Sequence, residues 1–133
     1  MTVMIDSNVI LDIVTKDQHW YEWSSTNLET LAQENLIAIN SIIYAEVSIG
    51  FLKIEEVEGL FAPKFFIREM IPWEASFLAG KCFLAYKKKG GTRNSPLPDF
   101  FIGAHALVRG WPLLTRDSAR YRTYFPKLEL ICP

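Results

Sequence analysis

Short apolar runs alternate with longer segments of helical pattern along most of the chain. Val3 to Ile5 is a run of strand-forming residues that ends at Asp6, and Val9 to Val14 then resumes an apolar pattern compatible with a helix. Leu36 to Ile39 predicts a second buried strand, and Asn40 supplies an N-cap for the helix that follows it. The first third of the chain therefore predicts strands that are each followed by helices.

The same alternation continues to the end of the sequence. The further predicted helices cover Trp20 to Ala32, Ile42 to Leu52, Glu74 to Lys89 and Asp99 to Val108, and the further predicted strands cover Phe65 to Ile71, Pro112 to Thr115 and Leu128 to Cys132. Strands that alternate with helices in this way favour parallel βαβ units. We therefore predict an α/β fold in which residues 1–133 form one domain, with a central parallel sheet of about five strands flanked by helices.

Composition narrows the classes of protein to which the chain can belong. Of its 133 residues, 50% are hydrophobic and 22% are charged, which is sufficient apolar material for a buried core. The formal net charge is −1, so binding to a polyanion would depend on local basic patches. Two cysteines and two histidines make a structural zinc site improbable. Without a signal-peptide pattern or a membrane-spanning run, we expect a cytoplasmic protein with no membrane partner.

Four acidic residues adjoin apolar sequence at the ends of predicted elements. Asp6 ends the first strand, Glu46 lies in the helix after the second, Asp99 opens a late helix and Asp117 follows the fourth strand. Any one of them alone is more typical of a helix cap or a solvated loop. Together at the carboxyl edge of a parallel sheet, where ligands bind, four carboxylates would repel one another and would need a cation. Carboxylate oxygens suit Mg²⁺ or Mn²⁺, and a phosphate ester is the natural substrate of such a site.

Four segments of the chain, taken in order, resemble the acid motifs of PIN-domain ribonucleases. They are Val3-Met-Ile-Asp-Ser-Asn-Val-Ile-Leu11, Tyr44-Ala-Glu46, Leu97-Pro-Asp-Phe-Phe-Ile-Gly-Ala-His-Ala106 and Leu113-Leu-Thr-Arg-Asp117. The segment from Arg116 to Pro126 further resembles VapC-type toxins of prokaryotic toxin–antitoxin modules. The chain departs from the family at one place: many members carry a further acid soon after the fourth motif, where this sequence has Ser118, Ala119 and Arg120. The presence of a second metal ion therefore stays open.

The resemblance implies a metal-dependent endoribonuclease. The residues expected to bind one or two Mg²⁺ or Mn²⁺ ions and to carry catalysis are Asp6, Glu46, Asp99 and Asp117, with Asn8 and Thr115 orienting carboxylates or water. The family further implies a homodimer and a cognate VapB-type antitoxin that keeps the toxin inactive. For the surface that the antitoxin covers, we expect the helix from Trp20 to Leu31 and the region from Leu52 to Phe66.

Several basic residues lie close to the acids in sequence and are candidate contacts for RNA phosphates. These are Lys87, Lys88, Lys89, Arg93 and Arg116. The lysines have an alternative role as cations that favour a helix C-terminus, and Arg116 can instead pair with a carboxylate. The segment Arg120-Tyr-Arg122 and Tyr124 could hold unpaired bases, although packing of the tyrosines against the last strand is the more common arrangement.

His105 and the tryptophans are more typical of structural positions. His105 lies on an apolar helix, where a hydrogen-bonded buried histidine is commoner than a general base. The tryptophans Trp20, Trp23, Trp73 and Trp111 are more often core or interface residues than stacking platforms for bases, and dimer contacts are one possible use for them.

Two other functions compete with the ribonuclease. A phosphatase of the haloacid dehalogenase type also begins with an aspartate after its first strand, but it needs a second aspartate where this chain has Asn8. A PIN-like module that has lost catalysis and binds only RNA or protein is the stronger alternative. The presence of all four acids argues against that module, and a metal-dependent cleavage assay would separate the two.

Overall fold

The computed structural model describes residues 1–133 and contains one sheet of five strands. The strands are β1 (Thr2–Ile5), β2 (Leu36–Ile39), β3 (Ile67–Arg68), β4 (Leu113–Leu114) and β5 (Leu130–Ile131). The helices are α1 (Ser7–Val14), α2 (Tyr21–Glu34), α3 (Ser41–Ser48), α4 (Ile54–Leu60), α5 (Trp73–Lys88), α6 (Pro98–Arg109) and α7 (Ala119–Tyr124). All neighbouring strands are parallel, in the order β3-β2-β1-β4-β5, which confirms the predicted α/β architecture.

Strand β1 lies at the centre of the sheet and at the centre of the core. Val3, Met4 and Ile5 are at most 1% exposed, as expected for a continuous apolar run with helices over both faces. The strand pairs with β2 on one side and β4 on the other, and the backbone N–H of Asp6 extends the second pairing by donating to the carbonyl of Leu114 at 2.9 Å. The carboxyl ends of these three strands therefore meet at one edge.

Polar residues follow β1 and β2 at that edge, and each caps the helix that comes next. Asp6 is the N-cap of α1, where its Oδ1 accepts a hydrogen bond from the N–H of Ser7. Asn40 is the N-cap of α3, where its Oδ1 accepts from the N–H groups of Ile42 and Ile43. The predicted cap at Asn40 is confirmed, and both side chains are held by the turn from strand to helix.

Some predicted boundaries are wrong. Helix α3 ends at Ser48 instead of Leu52, and its buried face carries Ile43 and Val47, whereas Ala45 and Ile49 are exposed. Strand β3 is limited to two residues of the predicted Phe65 to Ile71. Helices α4 and α7 have no counterpart in the predicted elements, because each is too short for apolar periodicity to show.

Helix α6 positions both its own Asp99 and the short helix α7. Pro98 occupies its first turn, and Gly110, with φ of 71°, ends it in the left-handed conformation that glycine adopts readily. In the middle of α6, a methyl group at Gly103 would stand 2.5 Å from the Phe125 ring, so the absent side chain lets the end of α7 pack closely against α6. None of the helices has the length and apolar character required to cross a membrane.

Candidate active site

Asp6 is the most deeply buried of the four predicted acids and collects the most hydrogen bonds. Its side chain is at the end of the central strand and the residue is 3% exposed. Oδ2 accepts from the hydroxyl groups of Thr115 and Tyr121, both at 2.9 Å, and more weakly from the Asn8 amide at 3.4 Å. The carboxylate is thus held by donors from α1, from the end of β4 and from α7.

Tyr121 links Asp6 to the second acid. The tyrosine is 1% exposed, and its hydroxyl oxygen lies 3.4 Å from Oδ1 of Asp99 while it donates to Asp6. Asp99 stands in the first turn of α6, where the helix N-terminus favours a negative charge. Sequence reasoning missed this contact; the available signal was the spacing from Asp117 to Tyr121, which a short helix would turn back towards the acids.

Glu46 joins the cluster through a serine. Ser7 Oγ donates to Oε1 of Glu46 at 2.8 Å, and the backbone N–H of Ser7 donates to Oδ1 of Asp6. One residue therefore contacts both acids. Glu46 reaches the site from α3, which packs beside α1, and its side chain is partly buried.

Thr115 uses the full hydrogen-bonding capacity of its hydroxyl group to organise the site. It donates to Asp6 and accepts from the amide of Asn8 at 3.2 Å and from the backbone N–H of Asp117 at 3.1 Å. Asn8 in turn accepts from the backbone N–H of Arg116. The predicted supporting residues Asn8 and Thr115 therefore lie at the centre of the network. Asp117 itself is exposed, and its charge acts on Asp99.

Burial and mutual repulsion work against the ionised form of three of these acids. Burial, followed by the charge of Asp99, raises the pKa of Asp6 to about 6 despite its hydroxyl donors. Burial also raises the pKa values of Glu46 and Asp99, with contributions from neighbouring acids, although Arg120 opposes the rise at Asp99. Near neutral pH the cluster therefore holds negative charge that the surrounding protein compensates only in part.

The side chains of the four acids do not converge on a single point in the structure. No three of the acids, histidines and cysteines surround one point closely enough to bind an ion together. Mg²⁺ is commonly bound by one or two carboxylates and retains several waters. The pair Asp6 and Asp99, with oxygen donors only and a raised pKa at each, fits an ion of that kind.

The basic residues near the site differ in their contacts. Arg116 Nε donates to both oxygens of the buried Asp12, the nearer at 2.8 Å, so the carboxylate pairing considered for this residue is present. Arg120 Nη1 lies 3.4 Å from Oδ2 of Asp99. At the exposed end of α5, Lys89 Nζ stands 5.0 Å from the ring centre of Tyr124, which places this helix end beside α7.

Two other predictions concern residues away from the acids. His105 is fully buried, and its Nδ1 lies 3.1 Å from the amide nitrogen of Asn40, which confirms a hydrogen-bonded structural histidine. Trp20 and Trp23 pack edge to face at the surface of α2. Trp73, in contrast, is 88% exposed, so it is not a core residue of this chain.

Comparison with known proteins gives the same family by sequence and by fold. The family described as "PIN domain" matches residues 3–126. Ribonuclease VapC2 of Rickettsia felis is 28% identical over 130 residues, which cover 92% of this chain and 91% of that relative. The crystal structure of VapBC2 from Rickettsia felis, bound to a DNA fragment from their promoter, superposes with a TM-score of 0.74 at 25% identity and covers 100% of this chain and 99% of its own.

A second solved structure supports the fold alone, because its sequence identity is only 19%. VapBC-1 from nontypeable Haemophilus influenzae superposes with a TM-score of 0.73 over 99% of this chain and 98% of that chain. The parallel sheet, the acids at its carboxyl edge and the family match over nearly the whole sequence agree, and the chain belongs to the PIN domain family.

Proposed function

We propose that this chain is a Mg²⁺- or Mn²⁺-dependent endoribonuclease of the VapC type, which a VapB-type antitoxin inhibits. The observation that carries the proposal is the buried pair of carboxylates at the end of the central strand, where Tyr121 contacts both Asp6 and Asp99. The likeness to Ribonuclease VapC2 supports RNA as the substrate. Burying carboxylates costs free energy, and a metal ion bound between them would offset that cost.

In this proposal Asp6 and Asp99 hold the metal ion, with Glu46 and Asp117 as further ligands directly or through water. Bound there, Mg²⁺ or Mn²⁺ supplies Lewis acidity that polarises the phosphate and acidifies water. Thr115 and Asn8 keep the Asp6 carboxylate in one orientation, and Tyr121 holds Asp6 and Asp99 at a fixed spacing.

The predicted RNA contacts fit this site unequally. Lys87, Lys88 and Lys89 are exposed at the end of α5, and Lys89 lies against Tyr124 of α7, on the helix that also carries Tyr121. We keep these lysines and Arg93 as contacts for phosphates that flank the cleaved bond. Arg116 serves chiefly to hold the loop after β4 against α1, because its Nε is engaged by Asp12.

Exposed apolar residues offer surfaces for the two protein partners. On α5, Trp73, Phe77 and Leu84 are 88%, 69% and 49% exposed on one side of the helix, and we assign this face to a homodimer. Leu52 and Phe65, 99% and 69% exposed, lie in the region predicted for the antitoxin, whereas the apolar residues of α2 largely pack against the core. Light scattering on the chain alone tests the first assignment; a strictly monomeric mass would contradict it.

The experiment that tests the activity is cleavage of total RNA by the purified chain, freed of antitoxin, in Mg²⁺ or Mn²⁺ and in EDTA. We expect discrete fragments with either metal and intact RNA in EDTA. Asp99→Asn should abolish the fragments, because it removes a charge that holds the ion. Glu34→Gln is the matched control, since it neutralises an exposed carboxylate at the end of α2, and should leave cleavage unchanged.

Two outcomes would contradict the proposal. Intact RNA at every metal concentration, from protein that is folded by circular dichroism, would favour the binding module. Equal cleavage by the wild type and by Asp99→Asn would show that any nuclease activity arises elsewhere or from a contaminant.

A further inference from the structure

One arginine stands directly at the acid cluster. Of the ion pairs in the structure, the contact between Arg120 and Asp99 is the only one that involves any of the four acids. Arg120 lies three residues after Asp117, and helix α7 contains no acidic residue at all. The short helix after the fourth acid thus brings a positive charge to the rim of the acid cluster.

The position of Arg120 is fixed by its neighbour. Tyr121 is buried and bonded to Asp6, so the backbone of α7 at Arg120 is held at the rim of the site. The arginine side chain is 45% exposed, and only Nη1 contacts Asp99, at 3.4 Å. A guanidinium group has five N–H donors, and those on Nε and Nη2 of Arg120 have no hydrogen-bond partner in the structure. The group can therefore keep this contact and still bind an anion from solvent.

Stability does not account for this ion pair. An exposed pair between long side chains is worth about 0 to 1 kcal/mol, and a long contact such as this one lies at the low end of that range. Arg116, four residues earlier, shows the alternative: it donates to both oxygens of buried Asp12, and Ser24 donates to the same carboxylate. Arg116 is built into the structure, whereas Arg120 is presented to solvent.

An RNA phosphate that approaches these acids is repelled unless a positive charge lies beside it. We propose that Arg120 is the residue that binds the substrate phosphate at the acid cluster, with its guanidinium group donating to the phosphate oxygens. The proposal rests on the proposed ribonuclease function. Guanidinium geometry matches two phosphate oxygens at once, which a lysine cannot do. One helical turn further along α7, Tyr124 and the neighbouring Lys89 continue the same surface away from the acids.

Binding of a fluorescent single-stranded RNA of roughly 10 nucleotides tests the proposal. Anisotropy is measured in EDTA, where no cleavage occurs, over a series of salt concentrations, for the wild type, Arg120→Gln, Arg120→Lys and Arg122→Gln. The last variant is the matched control, because it removes the same charge from the same helix. The sequence makes Arg122 a candidate base contact, but in the structure it contacts Cys132 and none of the four acids. Thermal unfolding of each variant shows whether α7 remains in place.

Arg120→Gln should weaken RNA binding roughly fivefold and reduce the slope of log K against log salt by about 0.7, as expected for the loss of one phosphate contact to a single strand. Arg120→Lys should keep the salt slope and recover part of the affinity, and Arg122→Gln should bind within about twofold of the wild type, because it contacts no phosphate at the site. Equal losses in Arg120→Gln and Arg122→Gln, or none in either, would overturn the proposal.

A parallel cleavage assay separates this proposal from the proposed function. If the wild type cleaves RNA and Arg120→Gln cleaves equally well, the phosphate contact is wrong and the ribonuclease stands. If the wild type cleaves nothing while Arg120→Gln alone loses RNA binding, the ribonuclease is wrong and the phosphate contact stands.

Discussion

Two polar clusters lie at the carboxyl edge of the same sheet, and they differ in how their charges are balanced. The first surrounds Asp6 at the end of β1 and contains three acids with raised pKa values. The second surrounds Asn40 at the end of β2, where a neutral amide meets His105, and Glu69 lies 3.7 Å from the other nitrogen of that histidine. Both begin with an N-cap residue, so strand and helix position them in the same way.

The difference between the clusters separates a structural network from a chemical one. In the second cluster Glu69 is paired with Arg109, and burial lowers the pKa of His105, so the histidine stays neutral. No charge there lacks a partner. In the first cluster the donors around Asp6 are neutral hydroxyl and amide groups, and the only positive charge is Arg120 at the rim. Excess negative charge, and not burial or hydrogen bonding alone, distinguishes the candidate active site.

Replacing Asp6, the acid at the end of the central strand, should produce the largest loss of RNA cleavage. Asp6→Asn should lower metal-dependent RNA cleavage by at least about 100-fold, because loss of a ligand exceeds the loss caused by a supporting residue. In EDTA at pH 7.5 the same variant should be more stable than the wild type. Raising the pKa of Asp6 from 3.8 to about 6 destabilises the ionised native state by about 3 kcal/mol.

The pH dependence follows from the direction of that shift. The native state binds the proton more tightly than the unfolded chain, so without metal the wild type should lose stability as the pH rises from about 4 to about 6. Asp6→Asn should show a weaker decline over this range, and Mg²⁺ should raise the Tm of the wild type more at pH 7.5 than at pH 5. Scanning calorimetry at both pH values measures this; a Tm that rises with pH in EDTA would contradict the assigned charge excess.

Removing one hydroxyl group should have an intermediate effect. Tyr121→Phe deletes the donor to Asp6 and the contact with Asp99, and should reduce cleavage about tenfold. It should cost about 2 kcal/mol of unfolding free energy near neutral pH, and less at pH 4, where Asp6 is protonated in the native state and accepts weaker hydrogen bonds. Tyr124→Phe, on the same helix and without a hydroxyl contact to any acid, is the control. Unchanged stability and unchanged cleavage in Tyr121→Phe would make Tyr121 a packing residue only.

Disrupting the cluster around Asn40 should lower the stability of the fold and leave RNA cleavage nearly unchanged. Asn40→Ala removes the cap of α3 and the partner of His105, and should cost about 2 kcal/mol of unfolding free energy. Cleavage at 25 °C should stay within about threefold of the wild type, because Glu46 lies beyond the first turn of α3. Urea unfolding and initial rates measure the two quantities. A tenfold loss of cleavage by a folded variant would mean that the clusters are coupled.

Sequence reasoning could place the acids because each adjoins a strand or helix whose pattern is local. Val3 to Ile5 predicts a buried strand without reference to the rest of the chain, and the residue at its end must lie at the edge of the sheet. Asn8 and Thr115 could be predicted because they lie within the first and fourth acid motifs. The resemblance of those motifs, in order, to PIN-domain ribonucleases indicated that the four acids belong to one site.

The remaining parts of the site depend on contacts between distant segments. Tyr121 and Asp6 are separated by 115 positions. The six-residue helix α7, which carries Tyr121, is too short for its apolar periodicity to be recognised in the sequence. The pairing of Arg116 with Asp12 likewise depends on how α1 packs against the loop after β4. The direction of the side chains in such contacts depends on how distant segments pack together. No local pattern in a single sequence predicts that packing.

The order of these segments along the chain also governs when the centre is completed during synthesis. Asp6 leaves the ribosome before Thr115 and Tyr121 do, since the N-terminal part of a chain emerges first. A nascent chain that has reached α6 already contains Asp6, Glu46 and Asp99 but has neither hydroxyl group that holds Asp6 in place. The centre can therefore assemble only after α7 has been synthesised, and a chain that terminates before α7 lacks it.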